Sequence, residues 1–227
     1  VMHIPDGYLG PATCGFFYAM MVPVWALASK IVKKTFNAKQ VPLLAIGAAF
    51  SFVIMMFNVP IPGGTTAHAV GGVLVAILIG PWAACIAITV ALVVQALLFG
   101  DGGITALGAN CFNMAFALPF VGYYIYKAIS YNSSIDSNRR VIAAGIAGYI
   151  AVNVAASLAG FEFGIQPLLH KTASGQALYC PYGLNVALPV MSGEHLLVFG
   201  WIEALITALV VKHLQKQDPG LLDPLAN

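Results

Sequence analysis

The sequence predicts an all-α membrane protein, a bundle of about seven transmembrane helices that forms a single metal-binding domain over residues 1–227. Of the 227 residues, 60% are hydrophobic and only 8% are charged, whereas soluble domains carry about 25% charged residues. Apolar runs recur at lengths approaching the roughly 20 residues that cross a bilayer. The net charge of +2 is too small to indicate a nucleic-acid partner. We therefore expect a multi-pass protein of the cell membrane, with the lipid bilayer as its surroundings.

Proline, glycine and charge divide the apolar runs into spans. The uncharged stretch from Ala69 to Phe99 is too long for one helix, and Gly80-Pro81 divides it because proline suits the first turn of a new helix. The predicted spans are about Cys14–Ile31, Val41–Phe57, Thr66–Ile79, Pro81–Phe99, Ile104–Lys127, Val141–Gly160 and Val186–Val211. Between the last two, Phe161–Asn185 is predicted to be an external segment.

The basic residues predict the orientation of these spans. With the N-terminus outside and the C-terminus in the cytoplasm, nine of the ten Lys and Arg residues lie on the cytoplasmic side, where basic residues concentrate, and only Lys171 lies outside. The nine are Lys30, Lys33, Lys34, Lys39, Lys127, Arg139, Arg140, Lys212 and Lys216. Merging the third and fourth spans would divide them between the two sides, so the charges favour seven spans.

The first seven residues carry the strongest indication of chemistry. His3 stands two residues from the first amine of the sequence, and an amine, backbone nitrogens and an imidazole can enclose one metal ion in a plane of nitrogen donors. That geometry is typical of Ni(II) and Cu(II). Pro5-Asp6-Gly7 predicts a turn that returns this segment to the bundle. On these residues alone, a chelate and a chance terminal histidine are equally good interpretations.

His68 is the second candidate ligand. It follows a loop of helix-breaking residues, Pro60 to Thr66, at the external end of the predicted third span. Thr65 or Thr66 can cap that helix, which would place His68 in its first turn, facing outward. The alternative is a structural histidine hydrogen-bonded within the bundle. Since His3 falls on the same side of the membrane, the metal-ligand interpretation gains support.

Polar residues in or beside the spans form a further group of candidates, because burying them in a membrane is costly without a function. Groups of this kind orient the imidazoles of metal sites, although hydrogen bonding between helices is an equally good interpretation for each one. The residues are Gln95, Asp101, Asn110, Asn113, Glu194 and His195. Glu203 is expected to meet a partner subunit or to extend toward the interface, and Glu162 and His170 are expected to be solvated.

Two absences bear on function. The sequence contains no Gly-rich Lys-Ser/Thr nucleotide loop, so this chain is not expected to couple ATP by itself. No broken helices recur in corresponding positions of two halves, as they often do in secondary transporters. Two other interpretations are a stand-alone proton-coupled metal permease that uses Glu194 and His195, and a membrane metallohydrolase.

Three stretches resemble the metal-binding subunit of energy-coupling-factor nickel and cobalt transporters, the NikM/CbiM family. They are Met2-His3-Ile4-Pro5-Asp6-Gly7, the segment from Val59 to His68, and the segment from Phe99 to Asn110; Gly193-Glu194-His195 agrees but is less specific. The resemblance covers nearly the whole chain. It implies a seven-helix substrate-binding component whose N-terminal segment folds into the bundle. The implied partners are a membrane coupling subunit, a small membrane subunit and a cytoplasmic ATPase.

The resemblance also implies the ligands. The metal would be held by the terminal amine of Met2, the backbone nitrogen and imidazole of His3, and the imidazole of His68. The cargo would be Ni(II), with Co(II) as the alternative, and the subunit would be neither an enzyme nor the carrier of a cofactor. Val1 departs from the family pattern, since it precedes the residue that carries the amine. Either Val1 is not native to the mature protein, or the coordination differs from the family pattern, with the Val1 amine as a possible donor.

Overall fold

The structure, a computed structural model, describes residues 2–37, 40–61 and 65–222, and these are mostly helical. The helices are α1 (Pro11–Thr35), α2 (Val41–Met55), α3 (Gly72–Ile79), α4 (Pro81–Val94), α5 (Leu107–Asn110), α6 (Leu118–Ser130), α7 (Asn138–Leu169), α8 (Leu184–Glu194) and α9 (Gly200–Gln217), followed by a 3₁₀ turn at Pro219–Leu222. A two-stranded antiparallel hairpin, β1 (Val59–Ile61) and β2 (Thr65–Ala67), precedes α3.

Four continuous helical stretches are long and apolar enough to cross a membrane. They are Pro11–Thr35, Pro81–Phe99, Asn138–Leu169 and Leu184–Gln217. Even the shortest has 19 residues, which at 1.5 Å per residue gives about 29 Å, close to the thickness of the hydrocarbon core. The chain is therefore a multi-pass membrane protein. Val41–Met55 is a shorter apolar helix.

The predicted third span is wrong at its beginning. Helix α3 starts only at Gly72 and has eight residues, about 12 Å, too few to cross a bilayer as a helix. The residues before it form β2 and a segment without strand or helix, 68–71. The helix is capped at Gly71, whose φ is +71°, and not by Thr65 or Thr66. Hydropathy misses this because an irregular segment buried inside a bundle is as apolar as a helix.

The predicted external segment also begins too early. Helix α7 has 32 residues and continues through Phe161 to Leu169. Glu162, expected to be solvated, is only 1% exposed and accepts a hydrogen bond from Asn113 Nδ2 at 3.0 Å. The polar residues of this last part of α7 face neighbouring protein segments, and that is why they failed to indicate exposure to solvent.

A π-helical segment lies within each of three continuous helical stretches: Pro81–Phe99, 107–130 and Leu184–Gln217. These segments are Gln95–Phe99, Cys111–Ala117 and His195–Phe199. Each one begins at or contains a residue singled out in the sequence, namely Gln95, Asn113 or His195. A π segment rotates the side chains that follow it relative to those of a regular helix, and such segments are frequent at functional sites.

Candidate metal centre

The chain before α1 folds into the bundle and positions the site. Met2 and Ile4 are fully buried, and Leu9 is 3% exposed. Asn110 holds Ile4 on both sides of its backbone: Asn110 Oδ1 accepts from Ile4 N at 2.7 Å, and Asn110 Nδ2 donates to Ile4 O at 3.0 Å. Gly103 N also donates to Ile4 O, at 2.8 Å. The residue directly after His3 is therefore tied to a helix and to a loop far away in the sequence.

Asp6 fixes the same segment three residues later. Its carboxylate accepts from the backbone N–H groups of Ile104 at 3.2 Å and Thr105 at 2.8 Å, and from the Thr105 hydroxyl. The hydrogen bond from the Thr105 hydroxyl is the main cause that lowers the pKa of Asp6 below its ordinary value. Gly7 follows with a φ of +82°, so the predicted Pro-Asp-Gly turn forms. Its acidic residue caps the loop before α5.

Further along, the backbone of this segment meets α7 and the chain before α8. Gly10 N donates to Gln166 Oε1 at 2.9 Å, and Cys180 N donates to Tyr8 O at 3.1 Å. The segment is thus hydrogen-bonded at several points before α1 begins. Such a connected backbone can hold His3 in one place.

The folded segment brings His3 against His68. The two imidazole rings stack with 4.5 Å between their centroids and 27° between their planes, and their exposed fractions are 1% and 0%. The sequence placed both histidines on one side of the membrane, and the structure brings them into contact. In the described ranges, no group of three or more His, Cys, Asp or Glu side chains converges as a metal ligand set.

Burial disfavours the protonated form of both rings. Burial lowers the pKa of His3 to about 4, and the neighbouring Gln95 side chain partly opposes this shift. His68 is likewise fully buried, against the ring of His3. Metal ligation requires an unprotonated imidazole nitrogen, and burial favours that form at both rings.

The ring of His68 has a defined tautomer. Its Nδ1 lies 3.0 Å from the carbonyl oxygen of Ala69. Since a carbonyl only accepts, Nδ1 carries the proton, and the lone pair lies on Nε2. Within the part of the chain that the structure describes, His68 Nε2 is buried and has no hydrogen-bond partner. A buried lone pair of this kind is free to bind a metal ion.

Gln95 and Asp101 border this pair. Asp101 Oδ2 lies 3.5 Å from Nδ1 of His3, and the carboxylate is partly exposed, with 24% of its side-chain surface open. Asn58 Nδ2 donates to the same oxygen at 3.3 Å. Partial burial raises the pKa of Asp101. Asp101 therefore places a carboxylate between the buried histidines and the outer surface of this end of the bundle.

The other predicted polar residues differ in how they relate to the histidine pair. Asn113 Nδ2 donates to Glu162 Oε2 at 3.0 Å. His195 is fully buried, and its Nδ1 donates to the carbonyl of Met191 at 2.9 Å, while Glu194 Oε1 lies 3.6 Å from the same nitrogen. Asn110 acts on the site through the backbone of Ile4, whereas in the described residues Asn113 pairs with Glu162 and Glu194 lies beside His195.

Sequence reasoning missed two carboxylates that hold the site's backbone. Asp6 was assigned only to a turn, and Glu203 was assigned to a partner or to the membrane interface. The structure buries Glu203 completely and bonds it to the backbone of Val70 and Gly71. The one signal that could have identified Glu203 is its position inside an apolar span, where an unpaired charge would be costly.

Comparison with known proteins agrees with this architecture. The family described as the cobalt uptake substrate-specific transmembrane region matches residues 3–221. The chain belongs to this family, CbiM. Family membership covers the histidine pair, the hairpin and every helix described above.

Individual relatives are similar over nearly the whole chain. The probable fused nickel transport protein LarMN of Lactiplantibacillus plantarum is 53% identical over 220 residues, which are 96% of this chain but 66% of that protein, just under two thirds. The putative metal transport protein MJ1569 of Methanocaldococcus jannaschii is 51% identical, covering 97% of this CbiM chain and 94% of its own. The crystal structure of a truncated transition metal transporter superposes with a TM-score of 0.90 at 57% identity, over 95% of this chain and 99% of that one.

Proposed function

We propose that this protein is the substrate-binding subunit of an ATP-driven, energy-coupling-factor uptake transporter for Ni(II). The observation that carries the proposal is the buried stack of His3 and His68, whose ring centroids are 4.5 Å apart. His68 presents a lone pair on Nε2, and His3 stands on a backbone segment tied down at Ile4 and Asp6. Two imidazoles held in this way suit the binding of a transition-metal cation.

The proposed donor set is planar and contains only nitrogen. It consists of the amine of Met2, the backbone nitrogen and imidazole of His3, and Nε2 of His68. A site of this kind favours Ni(II) over Zn(II), which prefers tetrahedral ligands. If Val1 remains on the mature chain, its amine and the next two amide nitrogens, together with the His3 imidazole, could fill the plane without His68. Val1 lies outside the described residues.

Nickel is proposed ahead of cobalt as the cargo for two reasons. The planar donor set suits Ni(II), and the relative LarMN is named as a nickel transport protein. Cobalt transport is the alternative, since the family description names cobalt uptake. Both ions are cargo in this proposal, and no resident cofactor is needed.

The partners proposed for transport are a membrane coupling subunit, a small membrane subunit and a cytoplasmic ATPase. LarMN is named as a fused transport protein, and this chain spans 66% of its length, which supports a second component joined to the same unit. We further propose seven membrane crossings with the N-terminus outside, the third made by segment 68–71 together with α3. The metal would enter from outside, near Asp101.

The test of the metal site is His68→Ala. If Nε2 of His68 completes the donor set, this variant should bind Ni(II) at least about tenfold more weakly and should have an altered visible spectrum. Titration of detergent-purified protein without a histidine tag would measure both. Gel filtration would show that the variant is folded. Unchanged nickel affinity in a folded His68→Ala variant would return His68 to a structural role.

The test of the partners is metal uptake by this chain alone. Expressed without other subunits, it should bind Ni(II) but accumulate little of it in cells, because its sequence has no nucleotide loop. Accumulation of radioactive nickel, with and without an uncoupler, would be measured. Strong uptake by the single chain that collapses with the uncoupler would contradict ATP coupling and favour a proton-coupled permease.

A further inference from the structure

The carboxylate of Glu203 lies at the centre of the bundle and binds main chain instead of a cation. Its side chain is 0% exposed. Glu203 Oε2 accepts from Val70 N at 2.7 Å and from Gly71 N at 3.0 Å, and Oε1 is also 3.0 Å from Gly71 N. A helix distant in sequence thus supplies the hydrogen-bond acceptor for two consecutive backbone N–H groups.

These two N–H groups belong to the segment that carries His68. Segment 68–71 lies between β2 and α3 and has neither strand nor helix pairing. Its last residue, Gly71, is the N-cap of α3 and has no side chain to cap that helix. The N-terminal N–H groups of a helix point outward and carry partial positive charge, so a carboxylate there is favoured.

The remaining contacts of the segment make Glu203 the element that fixes its place. His68 Nδ1 donates to Ala69 O, which is within the same segment. The imidazole therefore moves together with this main chain. On the other side, a side chain at Gly71 would collide with the Phe50 ring, so the segment is confined there by contact. Gly71 O accepts from Val75 N at 3.1 Å, which joins the segment to α3.

We propose that Glu203 is a positioning residue for His68: by binding Val70 N and Gly71 N, it holds segment 68–71 so that Nε2 of His68 stays directed at the metal position beside His3. This inference rests on the proposed function, in which His68 is a metal ligand. It also connects the site to α9, since a displacement of α9 would pull on the backbone two residues from His68. Glu203 itself does not touch the metal.

Glu203→Gln tests this role. Glutamine has nearly the same size, but it replaces one accepting oxygen with an NH₂ group. Because Gly71 N lies 3.0 Å from both carboxylate oxygens, it would face this NH₂ donor in either orientation of the amide. Nickel affinity should fall at least about tenfold, and the visible spectrum of bound Ni(II) should change in the same direction as in His68→Ala. The matched control is Thr207→Val, which removes a buried hydroxyl one turn further along α9 and should leave affinity and spectrum unchanged.

A double variant separates positioning from general destabilisation. Because the effect passes through His68, the double variant Glu203→Gln/His68→Ala should bind no more weakly than His68→Ala alone. Cu(II), which nitrogen sites bind more tightly than Ni(II), keeps the weakened variants measurable. Additive losses, or a Glu203→Gln variant with wild-type affinity, would overturn the inference.

Two further outcomes keep the test decisive. If His68→Ala itself has no effect, the proposed function fails together with the inference, whereas additive losses would refute only the inference. If Glu203→Gln does not fold, Glu203→Asp replaces it as the test variant. Aspartate keeps the carboxylate, but its side chain is one methylene shorter, so the carboxylate lies farther from Val70 N and Gly71 N. Glu203→Asp should give the His68-dependent spectral change at intermediate affinity, and an unchanged spectrum would count against the inference.

Discussion

At the scale of single residues, Asn110 shows how one amide can set the position of a terminal segment. It donates and accepts toward the same backbone residue, Ile4, at 3.0 and 2.7 Å, as a neighbouring strand would. The contact is buried and joins residues 106 positions apart in sequence. His3 comes immediately before this clamp, so any movement of Ile4 changes the place of a proposed ligand.

Asn110→Ala should therefore weaken nickel binding by about 10–100-fold, the usual cost of losing a group that orients a ligand. Alanine leaves the buried Ile4 N–H without this acceptor, and the segment loses its register. A competition titration with a chelator would measure the affinity. Asn153→Ala is the control, since Asn153 is also buried in a span but donates within its own helix, to Tyr149 O. Equal losses in both variants would contradict a specific role for Asn110.

The residue scale also shows what sequence can and cannot reveal. His3 and His68 were identifiable because histidines are rare in this chain and both stand beside turn residues. Glu203 was identifiable as unusual, but its partners were not, because backbone N–H groups carry no sequence signature. The same is true of Asp6: a Pro-Asp-Gly turn is visible in sequence, whereas the hydrogen bonds to Ile104 and Thr105 require the folded loop.

At the scale of elements, the position of the N-terminal segment depends on its close contact with the loop that contains Gly103. Gly103 lies against the backbone of Pro5 and Asp6, and a Cβ on Gly103 would overlap their atoms. Two of the three nearest atoms, Asp6 N and Pro5 C, belong to the main chain. The third, Asp6 Oδ1, is a side-chain atom that is itself held by the hydrogen bond from Thr105 N. The position therefore accepts only glycine without a shift of the segment.

Gly103→Ala should dislodge the N-terminal segment and weaken nickel binding by at least about tenfold, in the same range as losing a group that orients a ligand. Protection of the N-terminus from an added aminopeptidase would fall in parallel. Gly15→Ala is the matched control: Gly15 lies in α1 with open space around its Cα, and alanine is the better helix former there. Retained affinity and protection in Gly103→Ala would mean that the segment can shift without disturbing the site.

The elements were predictable to different degrees. Long apolar helices such as α1 and α4 emerge from hydropathy because a membrane demands roughly 20 apolar residues. The start of α3 was wrong by six residues, and the end of α7 by nine, because both regions are buried by protein and satisfied by polar contacts. Hydropathy reports whether a residue avoids water, and it does not report which backbone geometry achieves this.

At the scale of the whole molecule, the contacts divide the bundle into two ends. Arg140 Nη1 donates to Leu222 O at 3.2 Å, and Lys212 Nζ donates to Asn138 Oδ1 at 2.8 Å, so the beginning of α7 and the end of α9 lie together. A cavity bordered by Thr35, Gly80 and Gly220 adds the end of α1 and the turn between α3 and α4 to this same end. The opposite end holds the histidine pair.

The ends differ in charge, and that difference leads to the topology prediction. If the basic end is cytoplasmic, as basic residues favour, then a cysteine introduced by Lys33→Cys or Asn138→Cys should react only from the cytoplasmic side. One introduced by Lys171→Cys should react only from outside. All three positions are exposed, and the four native cysteines are buried, so background labelling should be low.

The measurement uses a membrane-impermeant maleimide on intact cells, followed by labelling after permeabilisation. Lys33 follows the first predicted span, and Asn138 lies between the fifth and the sixth. Four crossings therefore separate the two positions, and an even number of crossings places both labels on the same side of the membrane. With the short α3 and segment 68–71 making the third crossing, both labels fall on one side. External labelling of Asn138→Cys with internal labelling of Lys33→Cys would mean that the third crossing does not exist and that the bundle crosses the membrane six times.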